Sequence, residues 1–204
     1  MGSDFERIEE LKQLAKAAYN EDRAAATVEL LKCYLEHFPD DDWAWFIYGD
    51  SLRILGRKGA AVVALANAEK TCSPERKWTV QGRLGLLFHD AGDFSAAERW
   101  YARALEADEA QQASWIWIFR GANFAKQELL DEAKECHLKA ISVNQNDEEA
   151  YLNLGMVSRA QGSYEEAINA AQTALAICPK YPDAEALLKS LDGAIEAVNR
   201  KIHE

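Results

Sequence analysis

The pair His89-Asp90, with Asp50 and Arg53 in an earlier segment, is the one cluster in this sequence with acid–base potential. A hydrolase or transferase centre there would use His89 as its proton acceptor. The other reactive residue types lend it no support. Cys33, Cys72, Cys136 and Cys178 are scattered without a paired CxxC spacing. His37, His89, His137 and His203 are single residues with no ligand-like spacing to one another or to cysteine, so no metal site is expected. No Ser or Cys is tied by spacing to a His and a carboxylate as a triad. Gly49, Gly56 and Gly59 are too sparse for a phosphate-cradling loop and have a packing explanation instead. The reading is therefore no enzyme, no catalytic residue and no cofactor, with His89-Asp90 as polar residues at a helix end.

The elements that would carry these residues are set by a repeat. Gly, Ala and Ala recur as Gly49, Ala61, Ala68; Gly85, Ala97, Ala104; Gly121, Ala133, Ala140; and Gly155, Ala167, Ala174. The offsets are twelve and seven residues in every copy. Small residues at such spacing suit two helices that cross closely, one carrying the Gly and the next carrying both Ala residues on one face. Gly56, Gly92 and Gly162 mark the reversal between the helices. Pro39 and Pro179 stand where a helix should stop. The larger residues of the last full unit, Tyr151, Leu154, Tyr164, Ile168, Leu175 and Ile177, fill the space around the small ones.

Tyr151-x-x-Leu154-Gly155, Tyr164, Ala167, Ala174 and Pro179 resemble the tetratricopeptide repeat (TPR). The resemblance runs through nearly the whole chain. It implies an all-α, right-handed superhelical solenoid of five TPR helix-turn-helix repeats plus a C-terminal capping helix. The repeats are expected at 8–41, 42–77, 78–113, 114–147 and 148–181, with the cap at 182–203, all in a single domain over 1–204. Two 36-residue intervals place extra residues near Ser73-Pro74 and Ala110-Gln111, in the links. The first repeat departs most, with Ala15, Thr27 and Tyr34 in place of Gly, Ala and Ala.

Composition narrows the partners. The net charge of −11 argues against nucleic acid, which needs a basic face. No apolar run approaches the length of a membrane span. The charged start, Met1 to Glu10, is unlike a secretory signal. Scattered, unpaired thiols suit a reducing cytoplasm.

The resemblance also implies where a partner would lie, on a concave groove lined by the first helices. Carried onto this chain, the first repeat contributes Glu9, Lys12, Lys16, Tyr19 and Asn20. The second contributes Trp43, Phe46, Asp50, Arg53 and Ile54, and the third Thr79, Gly82, Leu86, His89 and Asp90. The fourth contributes Trp115, Ile118, Ala122, Ala125 and Lys126, and the fifth Glu149, Leu152, Met156, Arg159 and Ala160. The cap adds Asp183, Ala186 and Ser190. Such a groove is rich in apolar side chains and nearly neutral. The carboxylate clamp that some members carry is matched only in fragments: Ile47 and Thr79 stand where Asn and Lys would be needed, and Asn153 is alone.

The function expected from this is a protein–protein interaction module, an adaptor or co-chaperone-like scaffold. It would bind a peptide or helix of a partner through Trp43, Phe46, Leu86, Trp115, Ile118, Leu152 and Met156, with Arg53, Lys126 and Arg159 setting the register. Trp43 and Trp115 are read either as partner anchors or as packing residues; Trp45 and Trp117, two positions later, are read as packing. The alternative is a self-associating structural protein that uses the groove or the end helix, and a less favoured one an enzyme with its site near His89.

Overall fold

A computed structural model describes residues 2–203, and the chain forms two compact units, Met1–Glu106 and Ala107–Glu204. Unit 1 contains α1 (Gly2–Asn20), α2 (Ala24–Leu35), α3 (Asp42–Ile54), α4 (Lys58–Thr71), α5 (Pro74–Asp90) and α6 (Phe94–Ala104). These pack as the antiparallel pairs α1–α2, α3–α4 and α5–α6. Unit 2 contains α7 (Asp108–Gln111), α8 (Ser114–Ala125), α9 (Leu130–Val143), α10 (Glu148–Ala160), α11 (Tyr164–Ile177) and α12 (Pro182–His203). Its pairs are α8–α9 and α10–α11, with α12 against α11 and α10. Of the residues at the longer intervals, Ser73 caps a helix and the others are helical. Pro74 opens α5, where its missing N–H and fixed φ suit a first turn, and Ala110-Gln111 lie in the single turn α7.

The same turn closes the first helix of every pair. In unit 1, Gly56 N–H donates to Arg53 C=O at 2.9 Å and Arg57 N–H to Leu52 C=O at 2.8 Å. In unit 2, Gly162 N–H donates to Arg159 C=O at 3.0 Å and Ser163 N–H to Ser158 C=O at 2.8 Å. This capping motif needs one residue with positive φ. Gly56, Gly92 and Gly162 supply it at φ 70°, 81° and 79°. Asp22 (φ 55°) and Glu128 (φ 62°) adopt it in the two pairs that lack the glycine. Three of the following or preceding starts are capped by Asp: Asp41, Asp93 and Asp147 accept from the N–H of Ala44, Ala96 and Ala150.

The recurring small residues sit where the paired helices touch. Ala61, Ala68, Ala97, Ala104, Ala133, Ala140, Ala167 and Ala174 are all fully sealed from solvent. Opposite each glycine of the first helix stands a residue of the second or of the next helix. A Cβ on Gly49 would come 2.7 Å from Leu65, one on Gly85 2.6 Å from the Tyr101 ring, and one on Gly121 2.5 Å from the His137 ring. On Gly155 it would meet Leu187 at 2.9 Å and the Ala167 carbonyl at 3.2 Å. Such contacts leave no room for a methyl group. Leu52, Leu65, Leu84 and Leu87 continue the core of unit 1, and Ala171, Leu187 and Leu191 that of unit 2. Trp45 and Trp117 pack against these cores, and each indole N–H donates to the carbonyl six residues earlier, Pro39 at 2.7 Å and Gln111 at 3.2 Å.

His137 is the unusual member of this set. It is 1% exposed, and its Nδ1 is sealed without a hydrogen-bond partner among the described residues. Burial pulls its pKa from 6.5 down to about 4.

Two measurements follow from this packing. Gly85→Ala destabilises the chain by about 2 kcal/mol through overpacking, whereas Glu128→Gly stabilises it by about 0.5–1 kcal/mol by releasing a left-handed Glu, both read from urea unfolding. His137 stays unprotonated in the folded chain down to about pH 4, while the unfolded chain binds that proton near pH 6.5. Stability contributed by the neutral ring is therefore present above pH 6.5 and is lost as pH falls through that window, by about 3 kcal/mol. Paired melts of the wild type and His137→Leu between pH 7 and pH 4 should show the wild type losing more.

Candidate partner-binding faces

In unit 1 the first helices α1, α3 and α5 are neighbours, and their facing polar residues are joined into one network. Asp50 is buried at its centre, 2% exposed. Tyr19 Oη–H donates to Asp50 Oδ2 at 2.8 Å, and Arg53 Nε donates to Asp50 Oδ1 at 3.1 Å. Arg53 Nη1 reaches across to Asp90 Oδ2 at 2.8 Å, and Arg83 Nε lies 3.6 Å from Asp50 Oδ1. Lys58 Nζ donates to the Asp90 carbonyl. Burial, and then the charge of Asp50, push the Tyr19 hydroxyl up to about 12. Both edges of the Arg53 guanidinium are thus engaged within the wall. His89 packs its ring on Phe94 with centroids 5.5 Å apart. The acidic and basic groups around His89-Asp90 are ion-paired in a way that fastens α3 to α5.

At the start of α3, Lys12 Nζ sits 2.6 Å from Asp41 Oδ2 and 5.5 Å from the centre of the Trp43 ring. Tyr34 Oη–H donates to the same carboxylate oxygen at 2.8 Å. Burial alone would raise the Asp41 pKa, but the bonds from Lys12, the Ala44 N–H and Tyr34 hold the carboxyl below its usual range. Trp43 and Phe46 are half-buried against the core that contains Leu31 and Tyr34. Leu86 is buried at 6% exposure.

Unit 2 presents α8, α10 and α12. Ile118 and Leu152 are buried, at 3% and 6% exposure. Trp115 is half-buried, edge-on to Phe119 with centroids 6.2 Å apart. Met156 is 44% exposed, and Lys126 and Arg159 are exposed. Arg159 Nη1 donates to Ser190 Oγ at 2.8 Å. Two cavities open here. One of 430 Å³ lies between α10 and α12, lined by Glu149, Leu152, Asn153, Met156, Arg159 and Tyr181 among others. The Glu149 carboxyl is raised there, first by desolvation and then by Asp147 and Glu148. The second, of 240 Å³, shares Asn153 and Met156 and reaches between α8, α9 and α10 to His137.

Sequence reasoning set Asn153 aside as isolated and had no role for His137 or Tyr181. One signal was present. Where the other repeats carry Asp50 and Arg53, Leu86 and His89, or Met156 and Arg159, the fourth carries Ala122 and Ala125. Two short side chains in succession on one helix face leave a hollow.

Comparison with known proteins identifies the architecture. Profiles described as "Tetratricopeptide repeat" match residues 12–77, 82–113 and 148–181. The chain belongs to the tetratricopeptide repeat family. All three profiles describe a repeat, and none a catalytic domain. The Sol locus transcriptional repressor of Clostridium acetobutylicum is 30% identical over 89 residues, 43% of this chain and 27% of the repressor. This chain therefore matches well under two-thirds of that relative. Among solved structures, PilW, a widely conserved type IV pilus biogenesis factor, superposes with a TM-score of 0.78 at 13% identity, over 93% of this chain and 92% of PilW. YrrB, a TPR protein with an unusual peptide-binding site, superposes at 0.65 and 17% identity, over 87% of this chain and 89% of YrrB. At these identities the likeness shows the fold. Among the described residues no helix is long and apolar enough to cross a membrane.

The unit 1 network makes a measurable claim. Asp50→Ala leaves Arg53 and Tyr19 without their buried acceptor and lowers stability by about 3 kcal/mol, against about 1 kcal/mol for Tyr19→Phe, as read by urea unfolding.

Proposed function

We propose that this chain is a protein-interaction module of the cytoplasm whose first-helix faces each receive a segment of a partner protein. The observation that carries the proposal is the pair of adjoining cavities on α8, α10 and α12, with exposed Met156 between them and Lys126 and Arg159 at their edges. An exposed thioether flanked by apolar hollows and cationic rims suits a segment that alternates apolar and acidic side chains. Leu152 lines the larger cavity, and Ile118 and Trp115 of α8 would extend the contact. On unit 1 the corresponding contacts would be Trp43, Phe46 and the buried Leu86, with Arg53 acting through the rigidity it lends to the wall. YrrB supports the reading as a structural neighbour with a peptide-binding site. The ligand is a peptide or helix rather than a nucleic acid, because the chain carries a net charge of −11.

The test is a displayed peptide library selected on the full chain, followed by titration of the selected peptide. Met156→Glu and Lys126→Glu replace exposed residues and leave melting unchanged, yet each weakens binding by about 10-fold or more. Peptides whose affinity ignores both substitutions would remove the unit 2 face from consideration. Sedimentation over a range of concentrations reads the competing outcome, in which a second copy of the chain covers the face.

A further inference from the structure

The cavity beneath α8 and α10 differs from the open surface around it. Its walls are mostly apolar, from Ala122, Ala125, Leu130, Met156 and Ala160, with Lys126, Asn153 and the His137 ring as its polar members. Two sequence departures in one repeat create it. Ala122 and Ala125 withdraw bulk from the face, and the residue stacked over the helix-crossing glycine is an imidazole where the unit 1 pairs have Leu65 and Tyr101. The imidazole is 1% exposed and its Nδ1 has no partner among the described residues. A buried polar atom left unpaired costs stability, and a leucine in its place would not. Burial keeps the ring neutral at physiological pH. A neutral imidazole carries one N–H and one lone pair; with Nδ1 sealed, Nε2 is the ring nitrogen left to meet a ligand, as donor or acceptor according to the tautomer. The volume of 240 Å³ is below that of a drug-sized site and matches a single ring.

We propose that this cavity receives the phenol ring of a tyrosine side chain, with its hydroxyl bonded to His137. A phenol hydroxyl both donates and accepts, and so satisfies either tautomer of the ring. Its flat apolar body fits between Ala122, Ala125 and Met156, in the manner of a ring that is apolar at one end and polar at the other. The proposal deepens the interaction-module reading and rests on it for the source of the ring, a tyrosine in the partner segment. Asn153, which also lines the cavity, stands where the backbone of that segment would enter.

The probes are N-acetyl-tyrosinamide and N-acetyl-phenylalaninamide, which differ by the hydroxyl alone, titrated into the full chain and followed by amide and methyl chemical shifts. The expected result is saturable shifts at Ala122, Ala125 and Met156, with the tyrosine probe bound about 5-fold or more tightly. His137→Leu should abolish the preference between the probes, and Ala125→Leu should fill the cavity and abolish binding of both. Ala125→Leu keeps the test decisive if His137→Leu fails to fold. Absent or linear shifts, equal affinity for the two probes, or binding that survives Ala125→Leu would each overturn the proposal. These results do not depend on the selected peptide. Flat titrations with an intact Met156 and Lys126 effect sink the cavity alone, and saturable, discriminating titrations uphold it even where that effect is missing.

Discussion

The close crossing of paired helices at a residue without a side chain governs this protein. At Gly49, Gly85 and Gly121 the opposing side chain lies closer than any Cβ would permit. The helices can approach that far only because the contact is backbone against Leu65, Tyr101 or His137. Sealing Ala61, Ala68 and their counterparts follows from the same approach, since larger residues there would push the pair apart. The positive-φ turn after each first helix brings the second helix back at the required distance.

At three of these crossings the residue over the glycine is forced into the interior whatever its chemistry. In unit 1 it is an aliphatic chain and a phenol; in unit 2 it is an imidazole. Tyr101 and His137 both bring a polar atom that is sealed without a partner among the described residues. Burial raises the pKa of Tyr101 and lowers that of His137, in each case favouring the neutral form. The repeat tolerates these groups because packing around the glycine outweighs one unpaired polar atom.

The two units use equivalent face positions in opposite ways. In unit 1, Asp50, Arg53 and Asp90 consume one another's charge and tie first helices together. In unit 2, Ala122 and Ala125 contribute no such ties, and hollows open instead. A face built of internal ion pairs is stiff and nearly neutral. A face built of short side chains has room for another molecule's side chains, which is why the proposed contacts concentrate on α8, α10 and α12.

The helix-hairpin architecture was legible because its determinants lie along the chain: glycine and alanine at fixed offsets, and turn glycines seven residues after the crossing glycine. Asp22 and Glu128 were harder to see, since neither residue type announces a left-handed turn. The face was legible in outline only. Sequence position nominated Arg53 for the groove but could not show that Asp50 and Asp90 already hold it, and it passed over His137 because nothing in the spacing places that ring behind Ala122 and Ala125. Periodicity along a helix is set by local geometry and is written in residue order. Which side chains on different helices neutralise or uncover each other depends on how those helices stack, and only the packed structure decides that.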